Sequence, residues 1–187
     1  MALDSRIEKI LWNEDQISRR VSELAAEITD EFRSSSTPPV FVGVAIGAFL
    51  FFADLVRKID LPISLDFVRA QSYGSGTCSN EAPVISSDLK VNVQGRPVLL
   101  VEDIVDTGHT ISSIIALLKA KGASSVSVCT FLDKPARRKV EIQPVGQGKL
   151  YRGFECPDYF IVGYGLDFAE LYRNLPYIGV LKPEHYS

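Results

Sequence analysis

Four apolar residues in a row, Val98-Leu-Leu-Val101, run into Glu102-Asp103-Ile-Val-Asp106-Thr107-Gly108-His109-Thr110 and then into a helical apolar face. No other stretch constrains the chain as much. A short continuous apolar run suits a strand buried on both faces, here ending in two adjacent carboxylates. Ile111, Ile114, Ile115, Leu117 and Leu118 then recur at helical spacing, and Lys119, Lys121 and Gly122 provide a basic last turn and a glycine stop. A buried strand, a tight turn and a helix in succession form the unit of a parallel sheet covered by helices.

The same grammar recurs on both sides of this unit. Asn13-Glu-Asp-Gln16 reads as a capping box, and Ile17, Val21, Leu24, Ala25 and Ile28 continue it as a helix to about Phe32. Ser34 to Pro39 is a loop; Val40–Ala45 reads as a buried strand and Ala48–Arg57 as a helix. Ile63–Ala70, Val84–Val91, Val126–Leu132 and Tyr159–Val162 are further strand candidates. The expected fold is α/β, a mainly parallel central sheet flanked by helices. At 187 residues the chain fits one domain.

Composition narrows the function classes. With 46% hydrophobic residues and a formal charge of −3, the chain is neither disordered nor a general polyanion binder. Its amino terminus has no apolar signal core, and the run Val40–Ala53 is shorter than the roughly 20 residues of a membrane span. A cytoplasmic protein binding neither nucleic acid nor membrane is expected. Cys78, Cys129 and Cys156 form no pairing framework, and two distant histidines argue against zinc.

An anionic ligand must therefore be held locally. Unpaired amides at a helix start bind phosphate, Gly108 permits close backbone approach, and Thr107 and Thr110 add hydroxyls. Glu102, Asp103 and Asp106 would repel phosphate, so they should face hydroxyls, a divalent metal or a proton to be abstracted. A phosphorylated sugar with free hydroxyls satisfies both halves. Any one of these acids alone could simply cap the helix; the whole string exceeds what a cap needs. No phosphate loop of the G-x-x-x-x-G-K-[ST] type is present.

Val-Glu-Asp-Ile-Val-Asp-Thr-Gly resembles the phosphoribosyl-pyrophosphate signature of type I phosphoribosyltransferases. Gly43-Val-Ala-Ile-Gly-Ala-Phe49, Ser72-Tyr-Gly74, Leu132-Asp-Lys134-Pro, Gly153 to Asp158, and Phe160 to Asp167 through Arg173 extend the resemblance in order. Together they select the hypoxanthine–guanine branch over those for orotate, adenine or uracil. The resemblance implies a core over about 36–150 with a small hood from about 1–13 and 151–187. It implies phosphoribosyl transfer to hypoxanthine or guanine, giving IMP or GMP and pyrophosphate, with Mg2+ and a homodimeric or homotetrameric assembly. A non-catalytic regulator binding phosphoribosyl pyrophosphate is the alternative on this fold.

Residue by residue, the resemblance makes Asp106 the acid or base at purine N7. It assigns Ala45, Ile46, Gly47, Glu102, Asp103, Asp106, Thr107, Gly108, His109, Thr110 and Arg173 to phosphoribosyl pyrophosphate. Lys134, Phe160, Ile161 and Asp167 bind the purine; Glu102, Asp103 and Asp167 hold magnesium; Ser72 and Tyr73 belong to a closing lid. Read without that context, Lys134 is a turn residue, Phe160 core, Asp167 the cap of a helix through Tyr172, and Arg137-Arg138-Lys139 a solvated face. Relatives often carry Leu-Lys-Gly where this chain has Ala45-Ile46-Gly47, so one lysine contact is absent.

Overall fold

The structure, a computed structural model, describes residues 5–71, 84–85 and 89–186. In chain order the elements are β1 (Ile7–Trp12), α1 (Glu14–Phe32), β2 (Val40–Ala45), α2 (Phe49–Val56), β3 (Ser64–Gln71), β4 (Val84–Ile85), β5 (Pro97–Val105), α3 (His109–Ala120), β6 (Ser125–Asp133), β7 (Leu150–Glu155), β8 (Ile161–Val162) and β9 (Ile178–Leu181). The larger sheet has the order β4-β3-β2-β5-β6-β7 and the smaller one β1-β9-β8. In the larger sheet every pairing is parallel except β3 with β4. The smaller sheet is antiparallel throughout.

Strand alternation decides where the core sits. Phe41, Leu99, Val101, Cys129 and Phe131 point to one face, where Val21, Leu24 and Ile28 of α1 and Phe51 and Leu55 of α2 cover them. Val40, Val42, Val98, Leu100, Val126 and Val128 point to the other, under Ile111, Ile114, Ile115 and Leu118 of α3. β2, β5 and β6 are thus buried on both faces, as continuous apolar runs require. A third cluster, Ile7, Val162, Tyr172, Leu175, Tyr177 and Leu181, is the core of the small sheet.

Local signals account for the helix ends. Asn13 accepts from the Gln16 amide and Gln16 accepts from the Asn13 amide, each at 2.9 Å, completing the capping box. The α3 amide at Ser112 bonds to the Gly108 carbonyl, and Gly122 closes the helix with φ +82. Among the described residues no helix is long and apolar enough to cross a membrane.

Several expectations need correction. Of Val84–Val91 only Val84–Ile85 is a described strand; the Lys90 and Val91 amides donate to Asp66 Oδ2 at 2.7 and 2.8 Å instead of to a neighbouring strand. Val98–Val101 is the middle of a nine-residue strand, so Glu102 and Asp103 lie inside it. Of Tyr159–Val162 only Ile161–Val162 is strand, and it pairs with β9 in the small sheet. Residues 150–155 pair with β6, so they extend the large sheet and not the hood. The expected lid, Ser72 and Tyr73, lies outside the described residues.

Asn13→Ala removes one of the two reciprocal cap bonds and should destabilise the fold by about 1 kcal/mol, whereas Asn13→Asp keeps an acceptor and should cost much less. Urea unfolding of the three proteins measures this; equal stability of the alanine variant and the wild type would contradict it.

Candidate active site

Parallel pairing brings the carboxyl ends of β2, β5 and β6 to one edge, the position where open α/β sheets hold ligands. There β2 leads into Ala45-Ile46-Gly47, with the Ala45–Ile46 peptide cis. β5 delivers Glu102 and Asp103 and then the turn Asp106–Gly108; β6 delivers Asp133 and Lys134. A cleft of about 630 Å³ is lined by Ala45, Ile46, Gly47, Glu102, Asp103, Thr110, Asp167 and Arg173, together with Val44, Ala70 and Glu170. Eight of the expected residues therefore share one cavity, although three separate chain segments supply them.

Glu102 and Asp103 are only 7% and 8% exposed. Burial, and then the adjacent Asp103 charge, push the Glu102 carboxyl well above the usual carboxylate range. Its Oε2 is buried and has no hydrogen-bond partner. Asp103 Oδ1 accepts from the Ile104 amide at 2.9 Å. A Cβ on Gly47 would stand 1.9 Å from Asp103 Oδ2, so the loop after β2 closes on the acid only because position 47 lacks a side chain. Among the described residues no three His, Cys, Asp or Glu side chains converge as a metal cage. One or two carboxylates completed by ligand oxygens suit magnesium, and the orphaned Glu102 oxygen fits that role.

The turn after β5 leads into a helix start with free amides. Gly108 has φ +89, and a Cβ there would meet the Val140 carbonyl at 2.3 Å. Glycine is thus demanded by the left-handed backbone and by the chain behind it. The first turn of α3 has no capping side chain and no acidic residue, which leaves its amides available to phosphate. His109 is exposed at the helix start. Thr107 O accepts from both the Lys139 and Val140 amides at 3.0 Å.

A chain of charges leads away from this turn. Half-exposed Asp106 accepts from Arg137 Nε at 2.7 Å, Arg137 stands 3.6 Å from Asp158, and Asp158 is 3.7 Å from Lys134 Nζ. Lys134 is 8% exposed and donates to the Tyr159 carbonyl at 2.7 Å. It is therefore a buried donor and not a solvated turn residue. The expected solvated face at 137–139 is wrong for Arg138, which turns inward to Asp133, whereas Arg137 is exposed and pairs with Asp106 at the surface.

On the hood side, Phe160 stacks on Tyr186 with centroids 4.3 Å apart and meets Phe168 edge-on at 5.4 Å. Ile161 lies opposite Val180. Asp106, Thr107, Gly108, His109, Lys134, Phe160 and Ile161 lie outside the lining of the cleft. Asp167 caps no helix. Its Oδ2 accepts from the Glu170 amide at 2.9 Å in a tight turn, and its Oδ1 pairs with Arg173 at 2.8 Å. Arg173 also donates to the Gly165 carbonyl at 2.8 Å. Periodicity gave no sign of Gly165, whose φ is +102 and where a Cβ would meet the Gly47 carbonyl at 2.1 Å. Its place in Gly-Tyr-Gly was the available signal.

Comparison with known proteins gives a consistent picture. The phosphoribosyl transferase domain model matches residues 10–169. The chain is 47% identical over 181 residues to the hypoxanthine-guanine phosphoribosyltransferase of Bacillus subtilis, covering 97% of each. It is 46% identical over 186 residues to the bifunctional protein TilS/HprT of Listeria monocytogenes, of which it spans 28%. The crystal structure of a hypoxanthine phosphoribosyltransferase from Staphylococcus aureus superposes with a TM-score of 0.87 at 42% identity, covering 97% of this chain and 95% of that one. A hypoxanthine phosphoribosyl transferase of Trypanosoma cruzi gives 0.89 at 32% identity, covering 100% and 97%.

The raised Glu102 carboxyl has a signed consequence. It binds its proton more tightly folded than unfolded, so the stabilisation is complete below the ordinary value of 4.5 and is lost as the pH rises through the raised folded value. Glutamine mimics the protonated side chain. Glu102→Gln should match the wild type in metal-free buffer near about pH 4 and melt progressively higher than it as the pH rises. A melting difference that stays flat with pH would contradict the assignment.

Proposed function

The chain belongs to the phosphoribosyl transferase domain family, and on that premise we propose that it is a purine salvage enzyme transferring 5-phosphoribosyl from phosphoribosyl pyrophosphate to hypoxanthine or guanine. The products are IMP or GMP and pyrophosphate. The observation that supports this reading is the buried Glu102–Asp103 pair, with Glu102 Oε2 unpartnered, in one cleft with Thr110 at the start of α3. Those are the two halves of a site for a phosphorylated sugar with free hydroxyls.

Each residue then has a task. Glu102 and Asp103 accept from the ribose hydroxyls. The amides from Asp106 to Thr110, with the Thr107 and Thr110 hydroxyls, hold the 5′-phosphate, and His109 is its neighbour. Ala45, Ile46 and Gly47 meet pyrophosphate through peptide groups, since Ile46 brings no charge. Arg173 faces the leaving group. Magnesium, when bound, would be held by Glu102 and Asp103 at the ribose hydroxyls, and a second ion by Asp167, where it would offset the charge on pyrophosphate as the glycosidic bond breaks. Asp106 keeps Oδ1 on Arg137 and uses Oδ2 for the proton at purine N7. Lys134 donates to the 6-oxo oxygen, and an ammonium, having no acceptor, disfavours the amino group of adenine. Phe160 offers the base the ring face opposite Tyr186, and Ile161 the strand backbone.

A cytoplasmic setting suits the unpaired buried thiols Cys129 and Cys156. A homodimer or homotetramer would cover Ile46 and Phe49, which are 57% and 55% exposed.

Purified protein with phosphoribosyl pyrophosphate should make nucleotide from hypoxanthine or guanine, should fail with adenine, and should stop when magnesium is chelated. Product from no base would leave only a non-catalytic binder, and product from adenine alone would refute the role of Lys134. Asp106→Asn should lower kcat about 100-fold or more while phosphoribosyl pyrophosphate binding stays within about twofold. Loss of that binding instead would remove the proton-transfer assignment.

A further inference from the structure

Arg138 is not among the residues that meet the substrates in this reading, yet it joins the two loops that do. Its carrier, the stretch 138–140, lies directly behind the turn Asp106–Gly108. The Lys139 and Val140 amides both donate to Thr107 O at 3.0 Å. Gly108 is pressed against the Val140 carbonyl and Arg138 Cδ, which a Cβ would meet at 2.3 and 3.0 Å. Arg138 Nε donates to the Asp106 carbonyl at 3.1 Å, and its Nη2 reaches toward the Val105 carbonyl at 3.5 Å.

The same Nη2 also grips Asp133. The Asp133 side chain is 4% exposed, at the end of β6 and next to Lys134. Asp133 also takes Arg152 Nε at 3.0 Å, and its carbonyl accepts from the Cys156 amide at 2.7 Å. The Lys134 amide in turn donates to the Val105 carbonyl at 3.0 Å. One side chain, itself 18% exposed, thus ties the carboxyl end of β6 to the backbone leaving β5. The carbonyls it engages, Val105 and Asp106, immediately precede the amides that face phosphate.

We infer that Arg138 is a positioning residue: anchored on buried Asp133, it fixes the backbone of the 5′-phosphate turn in its binding geometry. The inference rests on the proposed transferase reading, because the ligand it serves is the 5′-phosphate of that substrate and product. The planar fork of a guanidinium can serve a carboxylate and two carbonyls at once, whereas the single nitrogen of lysine cannot. Removing Arg138 leaves Asp133 its Arg152 partner, so a glutamine variant retains a counter-charge for the buried acid.

The test separates phosphate from the rest of the nucleotide. IMP and inosine, which differ only in the 5′-phosphate, are titrated by calorimetry into wild type, Arg138→Gln and Arg138→Lys. Arg138→Gln should weaken IMP by about tenfold and leave inosine within about twofold. Arg138→Lys, which folds with its charge kept, should lose nearly as much. Equal losses for IMP and inosine would overturn the inference, as would unchanged IMP affinity or full rescue by lysine. If Arg138→Gln does not fold, the lysine variant carries the same comparison. Binding is read without turnover. A wild type that binds IMP but forms no nucleotide would sink the transferase reading alone, and one that binds neither ligand would sink both.

Discussion

Two adjacent carboxylates held out of water set the terms for the rest of this molecule. Glu102 and Asp103 repel each other and lose hydration at their position in β5, a cost that no local sequence preference offsets. The sheet imposes it. β5 is clamped between β2 and β6 and covered by apolar clusters on both faces, so its course is fixed before any ligand arrives. Relief is then left to the ligand: a buried oxygen with no protein partner is a site waiting for a hydroxyl or a cation. The same crowding explains why the loop after β2 carries glycine at position 47.

The site is consequently a junction of strand ends, with the hood laid across it. β2 offers peptide groups to the cleft, β5 two acids, and the hood an arginine–aspartate pair. Hood and sheet interlock where Gly165 packs on the Gly47 carbonyl, a contact neither residue could make with a side chain. Around it the backbone takes left-handed turns at Tyr164, Ala169, Glu170 and Tyr172. Non-glycine residues persist in such turns where the surrounding structure over-determines them, which is common beside functional sites. Tyr164 is held in just this way, by its hydroxyl donating to Asp54 at 2.8 Å from α2.

What was legible in the sequence was what is encoded locally. The capping box at Asn13, the face Ile111–Leu118 with its glycine stop, and the doubly buried strands all depend on neighbours within a few residues. The fold class and the acidic turn followed from them. The small sheet did not. In β1 only Ile7 is buried, β8 has two residues and β9 four, so none shows a clear period. β5 runs further than its apolar pattern because Glu102 and Asp103 are buried inside it, against the rule that buried positions are apolar. Arg138 was hidden for the same reason. A basic triplet reads as surface, and the buried Asp133 that draws it in is itself visible only once β6 is placed.

The small sheet also orders events in time. β1 lies opposite β9, with Ile7 facing Leu181, so nearly the whole chain intervenes between the two partners. Loop closure over such a span is the least favourable step available entropically and is repaid only when the intervening sheet has already drawn the ends together. In the parallel sheet only β2 and β5 pair across intervening strands, β3 and β4, whereas the hood closes only when β1 meets β9. The turn after β5 can therefore take shape before β1 and β9 meet, and the ring and the arginine of the hood join it afterwards.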